Sequence, residues 1–196
     1  MNDLMDGLNN FGRVLNEDGF IIRRAAAEDA DIIYGCMLSV YNLLDDKSMF
    51  VCENIEYVRR NITEHGFAVI AETDSGRMAG AFVFEYPGQE FSNLGRDIGL
   101  LESELDKVVH MDTVVVLPEY RGHGLHERML VFAENMINKD KYRYYMATAA
   151  PYNSASVNTF IKCGYQIVKV TEKYKGLTRA ILLKDIGTVP KMSCLT

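Results

Sequence analysis

The chain has 196 residues, 48% of them hydrophobic and 24% charged, which suits one ordinary globular domain with a proper core. A formal charge of −6 and a pI near 5.3 argue against nucleic acid or an anionic membrane as the main partner, so a polyanionic ligand would have to be held by local N–H groups and a few cations. The four cysteines (Cys36, Cys52, Cys163, Cys194) lack metal-ligand spacing, the start MNDLMDGLNN lacks a basic-then-apolar signal pattern, and no apolar run approaches a membrane span, so a soluble, reducing, cytoplasmic setting is expected.

In chain order, residues 1–18 are polar with a weak apolar pattern and read as a loosely docked arm. Phe20–Arg23 reads as a strand. Ala27-Glu28-Asp29 places acids in a first helical turn, and Ile32, Ile33, Cys36, Met37, Val40, Tyr41 and Leu44 continue at near-helical spacing up to Asp45-Asp46. A second helix is expected over Asn54–Glu64, closed by His65-Gly66. Phe67–Glu72, a turn at Asp74-Ser75-Gly76, and Met78–Tyr86 form an antiparallel hairpin. The connection from Pro87 to Lys107 holds three glycines and an acidic helical piece, Leu101–Leu105; such length marks a functional or mobile segment.

Next comes a run alternating around His110 and Asp112, solidly β-branched at Val114–Val116 and broken at Leu117-Pro118. A turn, Arg121-Gly122-His123-Gly124, leads into an amphipathic helix carrying Leu125, Met129, Phe132, Ala133 and Met136. Tyr142–Ala149 is a strand, Pro151 to Ser154 a helix start, Ala155–Lys162 a short helix stopped by Cys163-Gly164. Tyr165–Lys173 and Arg179–Lys184 read as closing strands, with 187–196 as a tail. Residues 19–186 thus form a single domain, without internal repeat or low-complexity segment.

Strand, glycine turn and helix in that order set free backbone N–H groups at a helix N-terminus, an anion site before any side chain is considered. Gly122 and Gly124 permit positive φ and remove Cβ atoms that would keep phosphates from the backbone. The turn lacks the Gly-Lys-Ser/Thr ending of a P-loop, and Glu127 stands where a dinucleotide-binding turn needs its third glycine, so a nucleotide-binding α/β protein is disfavoured.

The segment resembles the pyrophosphate-binding signature of the GNAT superfamily of acetyl-CoA-dependent N-acetyltransferases, R/Q-x-x-G-x-G/A after a strand ending V-x-P. Arg121, Gly124 and Val116-Leu117-Pro118 match it, while His126 stands where glycine or alanine is usual. A second signature, N-x-x-A followed by L-Y-x-K-x-G-F, resembles Asn153, Ser156 and the run Thr159 to Tyr165. The chain resembles small bacterial members with a glycine-bearing insert before the fourth strand. The resemblance implies an α/β (α+β) fold: a mixed, mostly antiparallel sheet of six to seven strands flanked by about four helices and splayed between strands four and five. It implies acetyl-CoA as co-substrate, no metal, and a small-molecule or peptide amine as acceptor, with a homodimer compatible. Coenzyme A would lie along Val114, Val115 and Val116, over Arg121, Gly122, His123, Gly124, Leu125, His126 and Glu127, and beside Asn153, Ser156 and Phe160.

Acetyl transfer needs a neutral amine. An alkyl ammonium of pKa about 10.4 costs roughly 4–5 kcal/mol to neutralise at pH 7, so a base is worth having. His110, eleven positions before Arg121 where family members carry a glutamate, is the first candidate, sharing a strand face with Asp112, which could orient it or act as base itself. The tyrosine that family members place by the coenzyme sulfur is here Phe160, which has no proton to give; Tyr152 is the substitute candidate, and an acyl-CoA-binding module without turnover is the alternative function. His110, His123 and His126 are too poorly placed for a metal site.

Overall fold

The computed structural model describes residues 13–15 and 19–187. The remainder of the N-terminal arm and of the C-terminal tail, with Cys194, lies outside the described residues. Residues 13–15 add a strand that the sequence pattern does not show. The strands are β1 (Arg13–Leu15), β2 (Phe20–Arg24), β3 (Gly66–Thr73), β4 (Met78–Glu85), β5 (Val108–Val116), β6 (Tyr144–Ala149), β7 (Gln166–Lys173) and β8 (Leu177–Asp185). The α-helices are α1 (Ala30–Leu43), α2 (Ile55–Thr63), α3 (Glu102–Leu105), α4 (Leu125–Met136) and α5 (Ser154–Lys162). None of the described helices is long and apolar enough to cross a membrane.

The chain divides into two compact units. The first comprises residues up to Glu85 together with Met111–Met136. Its strands follow the order β1-β2-β3-β4-β5, antiparallel from β1 to β4. Every residue of β4 is buried, and α1 and α2 close a core of Ile33, Met37, Val58, Ile62, Ile70, Val83 and Val115. Asn54 caps α2 by accepting the Tyr57 N–H at 2.9 Å, which satisfies one orphan donor of the first turn. Gly80 is required by close approach: a Cβ there would stand 2.7 Å from the Val115 carbonyl oxygen, so β4 can lie this near β5 only as glycine.

The second unit comprises Tyr86–His110 and the chain from Ile137 onward. Its strands follow the order β5-β6-β8-β7. The β5–β6 pairing is parallel and matches Val108 with Tyr144, Val109 with Tyr145 and His110 with Met146; β6–β8 and β8–β7 are antiparallel. Leu94, Val108, Tyr144, Met146 and Ile181 form its core. The long connection is firmly knit. Asn93, fully buried, donates to Gly88 O at 2.7 Å and Leu105 O at 3.1 Å and accepts the Gly95 N–H at 2.8 Å. Asp97 pairs with Lys173 at 2.7 Å, and its carbonyl accepts Lys169 Nζ at 2.7 Å. These bonds tie the connection to β7.

Candidate active site

β5 leaves its buried parity at Asp112, Val114 and Val116, which are half-buried, while Met111, Thr113 and Val115 face the core. Leu117 N–H bonds Ala79 O at 2.9 Å, Pro118–Tyr120 form a 3-10 turn with proline at its start, and the chain swings into α4. Gly122 has φ +85 and Gly124 φ +66, and a Cβ built on either meets nothing within 4 Å. The turn therefore has the left-handed backbone and the open space expected of it, ahead of a twelve-residue helix whose first N–H groups carry the positive end of its dipole.

Side chains around this turn divide by position. Arg121 is exposed and its Nε donates to Val116 O at 3.4 Å; the Arg128 guanidinium donates to His123 O at 3.3 Å and lies 5.7 Å from the Phe20 ring. His123 is exposed, its ring 5.0 Å from that of Phe20. Leu125 is turned into the core, and Glu127 puts a carboxylate into the first turn of α4, so at both positions the backbone rather than the side chain suits an anion.

His126 is turned inward, its ring edge-on to Phe82 at 5.5 Å. Burial pushes its imidazole down to about 4, against a smaller opposing effect of Glu127, so it is neutral at pH 7 and brings no charge to an anion. Between the unfolded value of 6.5 and the folded value, the unfolded chain binds more protons. The stability this group contributes is full above pH 6.5 and is lost as pH falls toward 4, on the order of 3 kcal/mol over the window at 1.36 kcal/mol per unit. His126→Gln removes the titration, so its melting temperature should fall less than the wild type's over that window; parallel curves would show that His126 does not govern it.

A cluster of acids in the first unit surrounds Asp112. Tyr57 Oη on α2 donates to Asp112 Oδ2 at 2.5 Å, and Thr113 Oγ1 donates to the same oxygen at 2.9 Å. Carboxylate oxygens of Glu85 and Asp112 lie within 4.8 Å of each other. Glu85, buried at the end of β4, accepts Arg60 Nη2 at 3.0 Å. Burial, then the charges of Asp112 and Glu85, hold the Glu53 carboxyl above its ordinary range. Burial, then the same two carboxylates, push the Tyr57 phenol far above its ordinary range, so it remains a protonated donor at any working pH. Sequence reading passed over Tyr57, Glu53 and Glu85. The available signal was Glu85, a carboxylate ending a strand that is otherwise wholly apolar.

In the second unit, His110 is buried at 4% exposure and its Nε2 accepts the Leu94 N–H at 3.0 Å. That bond occupies the Nε2 lone pair and weighs against His110 as the base. With the Nε2 lone pair committed to a backbone donor, the neutral ring carries its proton on Nδ1 and has no lone pair for an ammonium proton. Asn153 is the N-cap of α5, its Oδ1 accepting the Ser156 N–H at 3.2 Å, so both residues have a local structural task. Tyr152, ahead of that cap, is 57% exposed. Phe160 is 1% exposed and edge-on to Tyr165 at 5.1 Å, packed in the core. Phe160→Tyr should therefore give no rate gain and should cost about 1–3 kcal/mol through a buried hydroxyl without a partner; turnover and thermal melts of the two proteins check this, and a faster variant would overturn it.

The description "Acetyltransferase (GNAT) family" matches residues 37–165, more than half of the chain, and the chain belongs to that family of acetyltransferases. Solved structures share its fold. A GNAT-family acetyltransferase from Listeria monocytogenes is 18% identical, with 89% of this chain and 100% of that one covered at a TM-score of 0.64. YncA from Salmonella typhimurium, solved with its cofactor acetyl-CoA, is 15% identical over 87% and 95% of the two chains at 0.61. The ribosomal-protein-S5-alanine acetyltransferase of Vibrio fischeri is 15% identical over 88% and 96% at 0.63. Comparison with curated proteins gives no match.

Proposed function

We infer that this acetyltransferase moves the acetyl group of acetyl-CoA directly to a primary amine of a small molecule or peptide, with Asp112 as the base. The observation that carries the reading is the arrangement along one stretch of the first unit: a carboxylate held by two hydroxyls on β5, then the open glycine turn at the start of α4. The turn suits the coenzyme, since a Cβ on Gly122 or Gly124 would meet nothing within 4 Å and the turn precedes a helix N-terminus, where a phosphate is favoured. Acetyl-CoA supplies the activated acyl group as a thioester. The N–H groups from Gly122 onward, with Arg121 and Arg128 nearby, would hold the pyrophosphate, and the Val114–Val116 backbone would pair with the pantetheine amides. Asp112 takes a proton from the ammonium and leaves a neutral nitrogen. Glu53, Glu85 and Asp112, with Arg60 as the cation paired to Glu85, favour a cationic acceptor over an acidic one.

Release of free thiol from acetyl-CoA, measured across a panel of amines and dependent on the amine, tests the reading. An acyl-CoA-binding module would be stabilised by acetyl-CoA yet release no thiol with any amine, and a nucleotide-binding protein would be stabilised by nucleotides and not by acetyl-CoA.

A further inference from the structure

Tyr57 lies in the first turn of α2. Its backbone N–H is already taken by the α2 cap, and its carbonyl accepts Asn61 Nδ2 at 3.1 Å. The phenol nevertheless reaches across from α2 to β5, fifty-five residues along the chain, to end 2.5 Å from Asp112 Oδ2. Thr113 Oγ1 meets the same oxygen, so two donors converge on one atom and fix the rotation of the carboxylate about its Cβ–Cγ bond.

We propose that Tyr57 is a positioning residue for acetyl transfer, holding Asp112 by Oδ2 in the orientation in which its carboxylate takes the ammonium proton. This rests on the reading of Asp112 as base. In the step, an N–H bond of the ammonium breaks and an O–H bond forms on the Asp112 carboxylate. The nitrogen keeps the electron pair and becomes neutral, Asp112 becomes a carboxylic acid, and its proton later passes to solvent.

The hold also has an electrostatic side. Tyr57 sits among Asp112 on β5, Glu85 at the end of β4, and Glu53 just before α2, with Arg60 of α2 paired to Glu85. His110, two positions before Asp112 on β5, has its Nε2 committed to Leu94 N–H. Two nearby carboxylates disfavour a third negative charge, whereas the phenol donates to that charge and favours it. Removing the phenol oxygen leaves the repulsion without its compensation, so Asp112 would hold its proton to higher pH.

The test compares Tyr57→Phe with wild type in the pH dependence of kcat for one good amine. A tenfold or greater fall in kcat at pH 7 is expected, with KM for acetyl-CoA unchanged and the acid limb moved up by about one unit. Incorporating difluorotyrosine at position 57, a stronger donor of the same shape, should move the limb down and leaves the fold undisturbed should the phenylalanine variant melt early. A limb that stays in place in both proteins overturns the positioning role. Asp112→Asn separates the two ideas: if it abolishes turnover while the Tyr57 proteins behave as wild type, the base stands and the positioning role falls; if it leaves turnover intact, the base reading falls and the positioning role with it.

Discussion

Asp112→Asn is expected to lower turnover about 10²- to 10⁴-fold at pH 7, the range a positioned general base contributes. The amide keeps the size of the carboxylate and can still accept the Tyr57 and Thr113 hydroxyls through its oxygen, so the fold around β5 has little reason to change. What it loses is the ability to accept a proton. Raising the pH should restore part of the rate, because free amine becomes abundant without help as its own pKa of about 10.4 is approached. His110→Ala should behave differently. It leaves the buried Leu94 N–H without its acceptor, so its cost appears in the melting temperature, and the pH–rate profile keeps its wild-type form. A turnover number for Asp112→Asn within a few-fold of wild type across pH 6 to 9, read beside an unchanged melt, would remove Asp112 from the chemistry.

The contrast between these two residues shows where sequence reading stops. His110 and Asp112 lie two apart on one strand, and parity places them on the same face. Parity cannot say that the Nε2 lone pair of His110 is spoken for. That is decided by Leu94, sixteen residues earlier inside a connection whose conformation no local signal gave, held in place by the hydrogen bonds of Asn93. Phe160 is a similar case. The motif locates it correctly on α5, but its role follows from the Tyr165 ring against it, and the motif does not record the packing behind it. The turn before α4 was legible because its chemistry is local: Pro118 ends the strand, and Gly122 and Gly124 take positive φ, as only glycine does readily. Tyr57 was not legible at all. A tyrosine at helical spacing in α2 reads as a core aromatic, and its partner Asp112 comes from another element fifty-five residues on.

Gly124→Val is expected to weaken coenzyme A binding by at least tenfold and up to about a thousandfold while the protein stays folded. The substitution acts in two ways, both centred on the turn. Gly124 has φ +66, a region L-residues enter at a cost of roughly 1–3 kcal/mol and β-branched ones least readily. A valine there strains the turn or swings it out of the conformation that aims its N–H groups. If the backbone holds, the side chain stands in the open space over the turn, where no protein atom lies within 4 Å of the new Cβ. The Cβ thus meets no clash within the protein, and the space it enters is the space assigned to the pyrophosphate. Each N–H···phosphate bond lost is worth about 1.5–3 kcal/mol, or roughly one to two powers of ten in affinity. Calorimetric titration with coenzyme A measures the loss, and a thermal melt without ligand shows whether the fold has survived. Gly124→Ala, with the same backbone demand and a single carbon, should fall between wild type and valine. Equal affinity in all three proteins would mean that the turn does not hold the phosphates.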